Sequence, residues 1–207
     1  MTGHSANRLL VLALLTLAVG GACLAVQGPL PGDVGATRRL QSLFGNAPRW
    51  AEWLTDTAKP PMVIATMGFG AGLAWLAAGW RSALSVPLAF GLAWLIDKGL
   101  RAVIFARRPS ADLVAVASAS SSSGLPSTFG LVYGSIFGVV VFAAATGRSA
   151  NGLRALALAL IFAGVAARVE LGGHWTSHML ASVLLGLLAA AAASEGANRL
   201  LKKEGAR

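Results

Sequence analysis

Two long apolar segments of the chain are joined by Arg168-Val-Glu-Leu-Gly-Gly-His174-Trp-Thr-Ser-His178. This stretch brings an arginine, a pair of glycines and two histidines close together in sequence. Ionisable side chains are costly in lipid, and beside membrane segments they usually mark a function. The stretch therefore predicts a functional site at the point where two membrane-spanning helices meet the water.

The composition of the whole chain is that of a membrane protein. Of its 207 residues, 56% are hydrophobic and 12% are charged, and its single cysteine offers no disulfide framework. Six apolar stretches reach or approach the roughly 20 helical residues that cross a bilayer. We expect an all-α, polytopic membrane protein with a single domain, 1–207, and a first helix that is retained and not cleaved as a signal peptide. The six expected transmembrane helices are 9–27, 60–80, 83–106, 127–146, 154–171 and 175–195.

Two long connections separate these spans. The first, 29–60, contains Trp50, Trp53 and Leu54, and its apolar residues recur at three- and four-residue spacing. That spacing predicts one or two short amphipathic helices on the membrane surface, and a solvated connector with a few aromatic anchors is the alternative. The second, 107–126, is rich in serine from 118 to 123 and is expected to be a flexible loop.

Six spans would bring several polar groups to one membrane face, because the third and fifth spans end on the face where the fourth and sixth begin. Arginine forks hold the oxygens of a tetrahedral dianion, N–H groups at a helix start add donors, and a neutral imidazole can attack phosphorus. A patch that only binds lipid headgroups is the alternative, and any one arginine taken alone is explained by snorkelling to the interface. The residues concerned are Arg101, Arg107, Arg108, Pro126, Ser127, Thr128, Arg168, His174 and His178.

Three groups of these residues resemble the motifs of the type 2 phosphatidic acid phosphatase superfamily, a family of six-helix integral membrane lipid phosphatases. The first motif, a basic residue and then Arg-Pro after six positions, matches Arg101-x6-Arg108-Pro109. The second, Pro-Ser-Gly-His, keeps its first half in Pro126-Ser127-Thr128-Phe129. The third, Ser-Arg-x5-His-x3-Asp, keeps its arginine and first histidine in Ala167-Arg168-x5-His174-x3-His178. The resemblance covers the third to the sixth span.

The resemblance implies a catalytic role for His174 as the nucleophile that forms a phosphohistidine, which water then hydrolyses. It implies no metal and no other cofactor. Two departures affect proton transfer, because Phe129 replaces the family's general acid and His178 replaces the carboxylate that orients the nucleophile. Loss of a general acid typically costs about 10²–10⁴-fold in rate. The residues implied to bind the substrate phosphate are Arg101, Arg108, Ser127 and Arg168, with Thr128 beside them at the helix start.

Other residues could compensate for these departures. His178 could accept a hydrogen bond from His174 and fix its tautomer or, when protonated, could itself be the acid. Glu170 is a further candidate for either task, and pairing with an arginine is its alternative explanation. Asp97 is placed one helical turn before Arg101 and could pair with it.

The sequence therefore predicts a membrane lipid phosphatase whose substrate is a lipid or isoprenoid phosphate or diphosphate. A diphosphate is the more compatible class, since its leaving group needs less help from an acid than the alkoxide of a monoester does. A degenerate protein that binds lipid phosphate without turnover is the alternative.

The basic residues predict an orientation in the membrane. Eight lie on the face with both termini, whereas five loop residues lie on the other face once motif and membrane-depth residues are set aside. We expect a protein of the bacterial inner membrane with cytoplasmic termini and a site that faces the periplasm or exterior. The net charge of +9 reflects this topology and contact with anionic lipid, and no motif indicates nucleic-acid binding. The oligomeric state stays open.

Overall fold

The computed structural model describes residues 3–144 and 147–204, and it describes side chains from 6 to 144 and from 147 to 197. Within these ranges the chain forms eight helices and no strand. The helices are α1 Gly3–Val26, α2 Asp33–Phe44, α3 Arg49–Asp56, α4 Met62–Ala78, α5 Trp80–Val103, α6 Thr128–Val141, α7 Arg148–Glu170 and α8 Thr176–Glu204. The expectation of an all-helical fold is therefore confirmed for the described residues.

Four of these helices, α1, α5, α7 and α8, are long and apolar enough to cross a membrane. The other two apolar helices, α4 and α6, are shorter, with 17 and 14 residues. At 1.5 Å per residue, α6 extends about 21 Å, which is less than the roughly 30 Å of a hydrocarbon layer. Every residue from Phe129 to Val140 is buried, so neighbouring helices and not lipid surround this short helix. The count of six complete spans stays a prediction.

Helices α6 and α8 lie against each other through glycines. A Cβ atom built on Gly134 would lie 2.6 Å from the carbonyl oxygen of Val183, and one built on Gly186 would lie 2.6 Å from that of Leu131. The spacing of Gly134 and Gly138 predicts close helix packing of this kind. The two backbones touch directly, and this contact fixes the start of α6 beside the start of α8.

The first part of α1 and the last part of α8 lie at the same end of the helix bundle. Arg8 in α1 forms an ion pair of 3.4 Å with Glu195 in the last part of α8. The Arg8 guanidinium also lies 4.8 Å above the ring of Phe142, which follows the end of α6. The starts of α6 and α8 and the ends of α5 and α7 therefore lie at the opposite end, where the polar motifs gather.

The first connector forms two short helices, α2 and α3, which pack on the motif end of the bundle. Gln41 in α2 donates from Nε2 to the carbonyl oxygens of Ala115 (2.7 Å) and Glu170 (2.8 Å). On the outer side the side chains of Leu43 and Trp53 are 66% and 76% exposed. The prediction of short helices is confirmed, and their position on a membrane surface stays a prediction.

Candidate functional site

The serine-rich connection between α5 and α6 holds Arg108 in place. Arg108 donates from Nε to the carbonyl oxygen of Ser122 and from Nη2 to the Ser122 hydroxyl, both at 2.9 Å. The backbone N–H of Ala106 donates to the Ser123 hydroxyl at 3.1 Å. Serine hydroxyls and carbonyls here satisfy a guanidinium and the loop's own backbone. The segment is a loop, as expected, and its flexibility stays a prediction.

The Arg108 guanidinium also contacts the loop between α7 and α8. Its Nη1 atom donates to the carbonyl oxygen of Gly173 at 2.8 Å and lies 3.3 Å from Nε2 of His174. All of these acceptors, together with those on Ser122, are neutral. The guanidinium is therefore held in a fixed orientation, and no carboxylate among the described side chains pairs with it.

His174 is buried, and both of its ring nitrogens have partners. Its Nδ1 lies 2.8 Å from the carbonyl oxygen of Gly124, and its Nε2 faces Arg108. A carbonyl can only accept and a guanidinium can only donate, so Nδ1 carries the proton and Nε2 carries the lone pair. Burial, and then the charges of Arg108 and Arg168, hold the pKa of His174 well below its ordinary value. The imidazole is neutral at neutral pH, with its lone pair directed toward the arginine.

Arg168, near the end of α7, lies against the same backbone. A Cβ atom on Gly173 would lie 2.8 Å from Nη2 of Arg168, so only a glycine lets this guanidinium reach its position. The preceding Gly172 has a φ of 62° and no room for a Cβ beside the carbonyl oxygen of Ala115. Burial, followed by the charges of Arg168 and Arg101, lowers the pKa of Arg108 to about 10. The site therefore concentrates positive charge that an anion would relieve.

A cavity of about 480 Å³ opens beside these arginines. Arg108, Arg168 and Gly173 line one wall, and Ser118 and Ser120 of the loop line another. The facing wall comes from α3 and the residues after it, Glu52, Thr55, Asp56 and Lys59. The lining therefore combines the positive charges of Arg108, Arg168 and Lys59 with the carboxylates of Glu52 and Asp56.

Arg101, the third arginine of the motifs, has a different environment. Its Nε lies 3.0 Å from a carboxylate oxygen of Asp97, and its Nη2 donates to the carbonyl oxygen of Pro126 and to the Thr128 hydroxyl. The expected pairing with Asp97 is confirmed. Arg101 lines a separate, mostly apolar cavity of about 640 Å³ between α4, α5 and α6. The structure therefore brings Arg108 and Arg168 to one cavity and leaves Arg101 outside its lining, because Asp97 one turn earlier holds it.

Ser127 and Thr128 are both engaged at the start of α6. The fully buried Ser127 hydroxyl accepts from the N–H of Gly130 at 3.4 Å, and the Ser127 N–H donates to the Ser182 hydroxyl at 2.7 Å. The Thr128 hydroxyl lies 3.2 Å from both oxygens of Asp97. Neither residue lines the 480 Å³ cavity. Their expected role in binding phosphate stays a prediction.

His178 is fully buried and does not form the expected hydrogen bond with His174. Neither of its ring nitrogens has a hydrogen-bond partner among the described residues. The expectation that it accepts a hydrogen bond from His174 is wrong, for two reasons. α8 begins only at Thr176, so His174 precedes the helix and the two histidines are not stacked one turn apart. The carbonyl of Gly124 also already accepts the Nδ1 proton of His174.

Glu170 and Phe129 are both buried. Glu170 is fully buried at the end of α7 and does not line the 480 Å³ cavity. The ring of Phe129 stacks on Tyr133 with 4.2 Å between centroids and fills the space that Gly164 leaves open. Phe129 is thus a core residue, and the auxiliary role of Glu170 stays a prediction.

Two residues that hold the site escape the sequence motifs. One is Gly124, whose carbonyl binds the imidazole. The other is Asp33, buried in α2, whose carboxylate accepts from the N–H and the hydroxyl of Ser177 at 2.8 and 2.6 Å. A carboxylate is a favourable partner for a helix N-terminus, so Asp33 caps α8 and fixes its start. The sequence shows Asp33 only as one of three acids in the connector, with Glu52 and Asp56, and does not reveal its partner.

The fold and the site define a helical integral membrane protein with an arginine-rich pocket beside a buried histidine. A similar fold is that of a solved structure described as the first transmembrane PAP2 type phosphatidylglycerolphosphate phosphatase from Bacillus subtilis. The TM-score is 0.70 at 21% identity, over 92% of this chain and 96% of that one. This likeness confirms the fold that the three motifs imply. No family model and no curated protein matches the sequence.

Proposed function

We propose that the protein is a membrane lipid phosphatase that transfers the phosphoryl group of its substrate to His174 and then to water. The observation that carries the proposal is the contact between His174 and Arg108. The imidazole is neutral, its tautomer is set by its two partners, and its Nε2 lone pair lies 3.3 Å from the guanidinium that would bind a phosphate oxygen. A nucleophile and an anion-binding group are therefore adjacent, with Arg108 lining the 480 Å³ cavity and His174 buried behind that lining.

The two arginines would act on the charge of the substrate. Arg108 and Arg168 have several N–H donors that would hold the phosphoryl oxygens as charge develops on them. Bound phosphate would draw Nη1 of Arg108 away from Nε2 of His174, since one N–H donates best to the stronger acceptor. This exchange would release the lone pair only when a phosphate is present.

The bonds change in two steps. In the first, the Nε2 lone pair of His174 forms a bond to phosphorus, and the bond from phosphorus to the leaving oxygen breaks with its electron pair on that oxygen. In the second, a water oxygen bonds to phosphorus, the N–P bond breaks, and inorganic phosphate leaves with His174 restored. The proton lost by water is taken up by the phosphate product or by solvent.

The structure favours a substrate whose leaving group needs little protonation. Phe129 lies in the aromatic core, where the family would place an acid, so an alkoxide leaving group would depart without a proton from this position. A lipid diphosphate releases a lipid monophosphate, which is already a stable anion. We therefore propose a lipid or isoprenoid diphosphate as the preferred substrate.

A lipid-phosphate binder without turnover is the second candidate function. The observation that favours it is the absence of a carboxylate on His174, because a neutral carbonyl stabilises the charge of a phosphorylated imidazole less than Asp would. In this case Arg108 and Arg168 bind the headgroup and His174 only shapes the pocket.

Phosphate release by the purified protein separates the two functions. Wild type and His174→Ala are assayed beside each other on a panel of lipid monophosphates and diphosphates, together with binding of the same lipids. A phosphatase releases phosphate only with His174 and keeps most of its lipid binding without it. Saturable binding with no release from any substrate would establish the binder and refute the enzyme.

The orientation of the site is a separate proposal. The ion pair between Arg8 and Glu195 supports the placement of both termini at one end of the bundle, opposite the site. With the excess of basic residues on the terminal side, we propose cytoplasmic termini and an outward-facing site in a bacterial inner membrane. A reporter fused after the last residue tests this, and activity of that reporter only on the outer side would overturn it.

A further inference from the structure

The backbone of Gly124 is fixed on both sides of its carbonyl group. Its N–H donates to the carbonyl oxygen of Ala106 at 2.7 Å. The next N–H, that of Leu125, donates to the Ser123 hydroxyl at 3.1 Å. The carbonyl between them accepts from His174 at 2.8 Å. A backbone held in this way presents its oxygen in one direction, and that direction is toward Nδ1.

The ring of His178 packs directly behind the same glycine. A Cβ atom on Gly124 would lie 2.8 Å from both Cε1 and Nδ1 of His178 and 3.3 Å from the carbonyl oxygen of Ala106. Real Cβ atoms do not approach other atoms so closely, so a side chain here would displace either the ring or the backbone. The His178 backbone is itself fixed, because its carbonyl accepts from the Ser182 hydroxyl at 2.7 Å.

We propose that Gly124 is the positioning residue of the nucleophile, with its carbonyl, fixed by the hydrogen bonds of its own backbone, setting the tautomer of His174. The orienting function that the family gives to a side-chain carboxylate is then performed by the main chain. His178 acts by packing and not by exchanging a proton. The inference rests on the proposed function only in calling His174 a nucleophile.

If His178 and not Gly124 oriented His174, substitutions at the two positions would have the opposite effects on the tautomer of His174. If His178 oriented His174, removing the imidazole of His178 would release the tautomer of His174, and an added methyl group on Gly124 would matter only through stability. If the carbonyl orients it, His178→Ala leaves the tautomer unchanged. Gly124→Ala then disturbs it, because the methyl group pushes the carbonyl out of line.

The tautomer of His174 is measured by nitrogen NMR on protein labelled only at histidine, of which the chain has three. The His178→Ala spectrum removes one signal and His174→Ala identifies another. We expect the wild-type His174 signal to show a protonated Nδ1 and an unprotonated Nε2 at neutral pH. A protonated Nε2 in wild type would overturn the proposal, whatever the variants do.

Three variants complete the test. Gly124→Ala is expected to convert the His174 signal to a mixture of tautomers and to lower phosphate release about 10²-fold, the order that a misplaced nucleophile costs. Gly124→Ala with His178→Ala is expected to restore the tautomer, since it removes the ring that the methyl group meets. Gly99→Ala is the matched control, because a Cβ atom there has no neighbour within 4 Å.

The outcomes separate this inference from the proposed function. An unchanged tautomer in Gly124→Ala, or a double variant that recovers nothing, would refute the positioning role. The expected tautomers in a protein that releases no phosphate would uphold the positioning role and refute the phosphatase, since the tautomer is read without substrate.

Discussion

Arg101 and Arg108 lie seven residues apart, but their guanidinium groups have opposite surroundings. Arg101 faces the carboxylate of Asp97 at 3.0 Å, and the hydroxyl of Thr128 joins the same cluster. Arg108 faces two carbonyls, a hydroxyl and an imidazole, all of them neutral. Asp97 neutralises the charge of Arg101. The partners of Arg108 orient its guanidinium but carry no charge that would neutralise it.

The difference indicates how the two arginines serve the site. A carboxylate that already holds a guanidinium competes with any phosphate for it, while neutral acceptors are weaker partners that an anion can displace. We infer that Arg108, with Arg168, binds the phosphate and that Arg101 joins the end of α5 to the start of α6.

The largest effect is expected from Arg108. Arg108→Ala removes donors to a charged phosphoryl group and should lower kcat/KM about 10²–10³-fold, with a parallel loss of lipid binding. Arg108→Lys should recover only a part, since a single ammonium cannot reproduce the planar fork. Steady-state phosphate release and lipid binding measure both variants. The exposed neighbour Arg107, changed to Ala, is the control, and an equal loss there would remove the special role of Arg108.

A smaller effect, on stability, is expected from Phe129. Phe129→His places a polar ring in the stacked contact with Tyr133, beside Gly164, and should lower the free energy of unfolding by about 1–3 kcal/mol. It should not restore monoester hydrolysis, because the side chain at this position points into the core. Thermal unfolding in detergent and monoester turnover are the measurements, with Phe129→Leu as the apolar control. A gain in monoester turnover would show that this position still reaches the substrate.

Arg101→Ala should cost less than Arg108→Ala. We expect about a 10-fold loss of kcat/KM, equivalent to about 1.4 kcal/mol, because the change loosens the start of α6 but removes no direct phosphate contact. Asp97→Asn in the same background should add little, since the pair is already broken. Kinetics of the single and double variants check this. A loss as large as that of Arg108→Ala would place Arg101 on the phosphate and end the distinction.

The smallest effect is a shift in titration. Burial and the nearby charges of Arg108 and Arg168 lower the pKa of His174 well below its ordinary 6.5. The neutral, nucleophilic form should therefore persist as the pH falls through 6.5 and be lost only at lower pH. An NMR pH titration of His174 without lipid measures this, which avoids the ionisation of the phosphate itself. A midpoint at or above 6.5 would mean that the imidazole is not shielded as described.

Several features of the fold and the site could be predicted from the sequence. Apolar length predicted the helical membrane fold, and motif spacing brought Arg108, Arg168 and His174 to one end of the bundle. The pairing of Asp97 with Arg101 followed from helical spacing alone. These features depend on local periodicity, which a single sequence contains.

The remaining features depend on contacts that spacing does not contain. The prediction for His178 assumed a continuous helix through His174, but α8 begins two residues later. The partner of His174 is a main-chain carbonyl at Gly124, and no side-chain pattern marks an acceptor of that kind. The serine-rich loop has the composition of a flexible segment, and composition alone does not show that Ser122 accepts from Arg108 within the same loop.

The central claim is that the Nε2 atom of His174 bonds to the phosphorus of the substrate. Purified protein is mixed with lipid diphosphate labelled in the transferred phosphoryl group, quenched in base, digested and examined by mass spectrometry, beside His174→Ala. The account predicts an acid-labile phosphoryl group on His174 in wild type, with no label and no phosphate release in the variant. Phosphate release that persists in His174→Ala, or a label trapped on another residue, would contradict it.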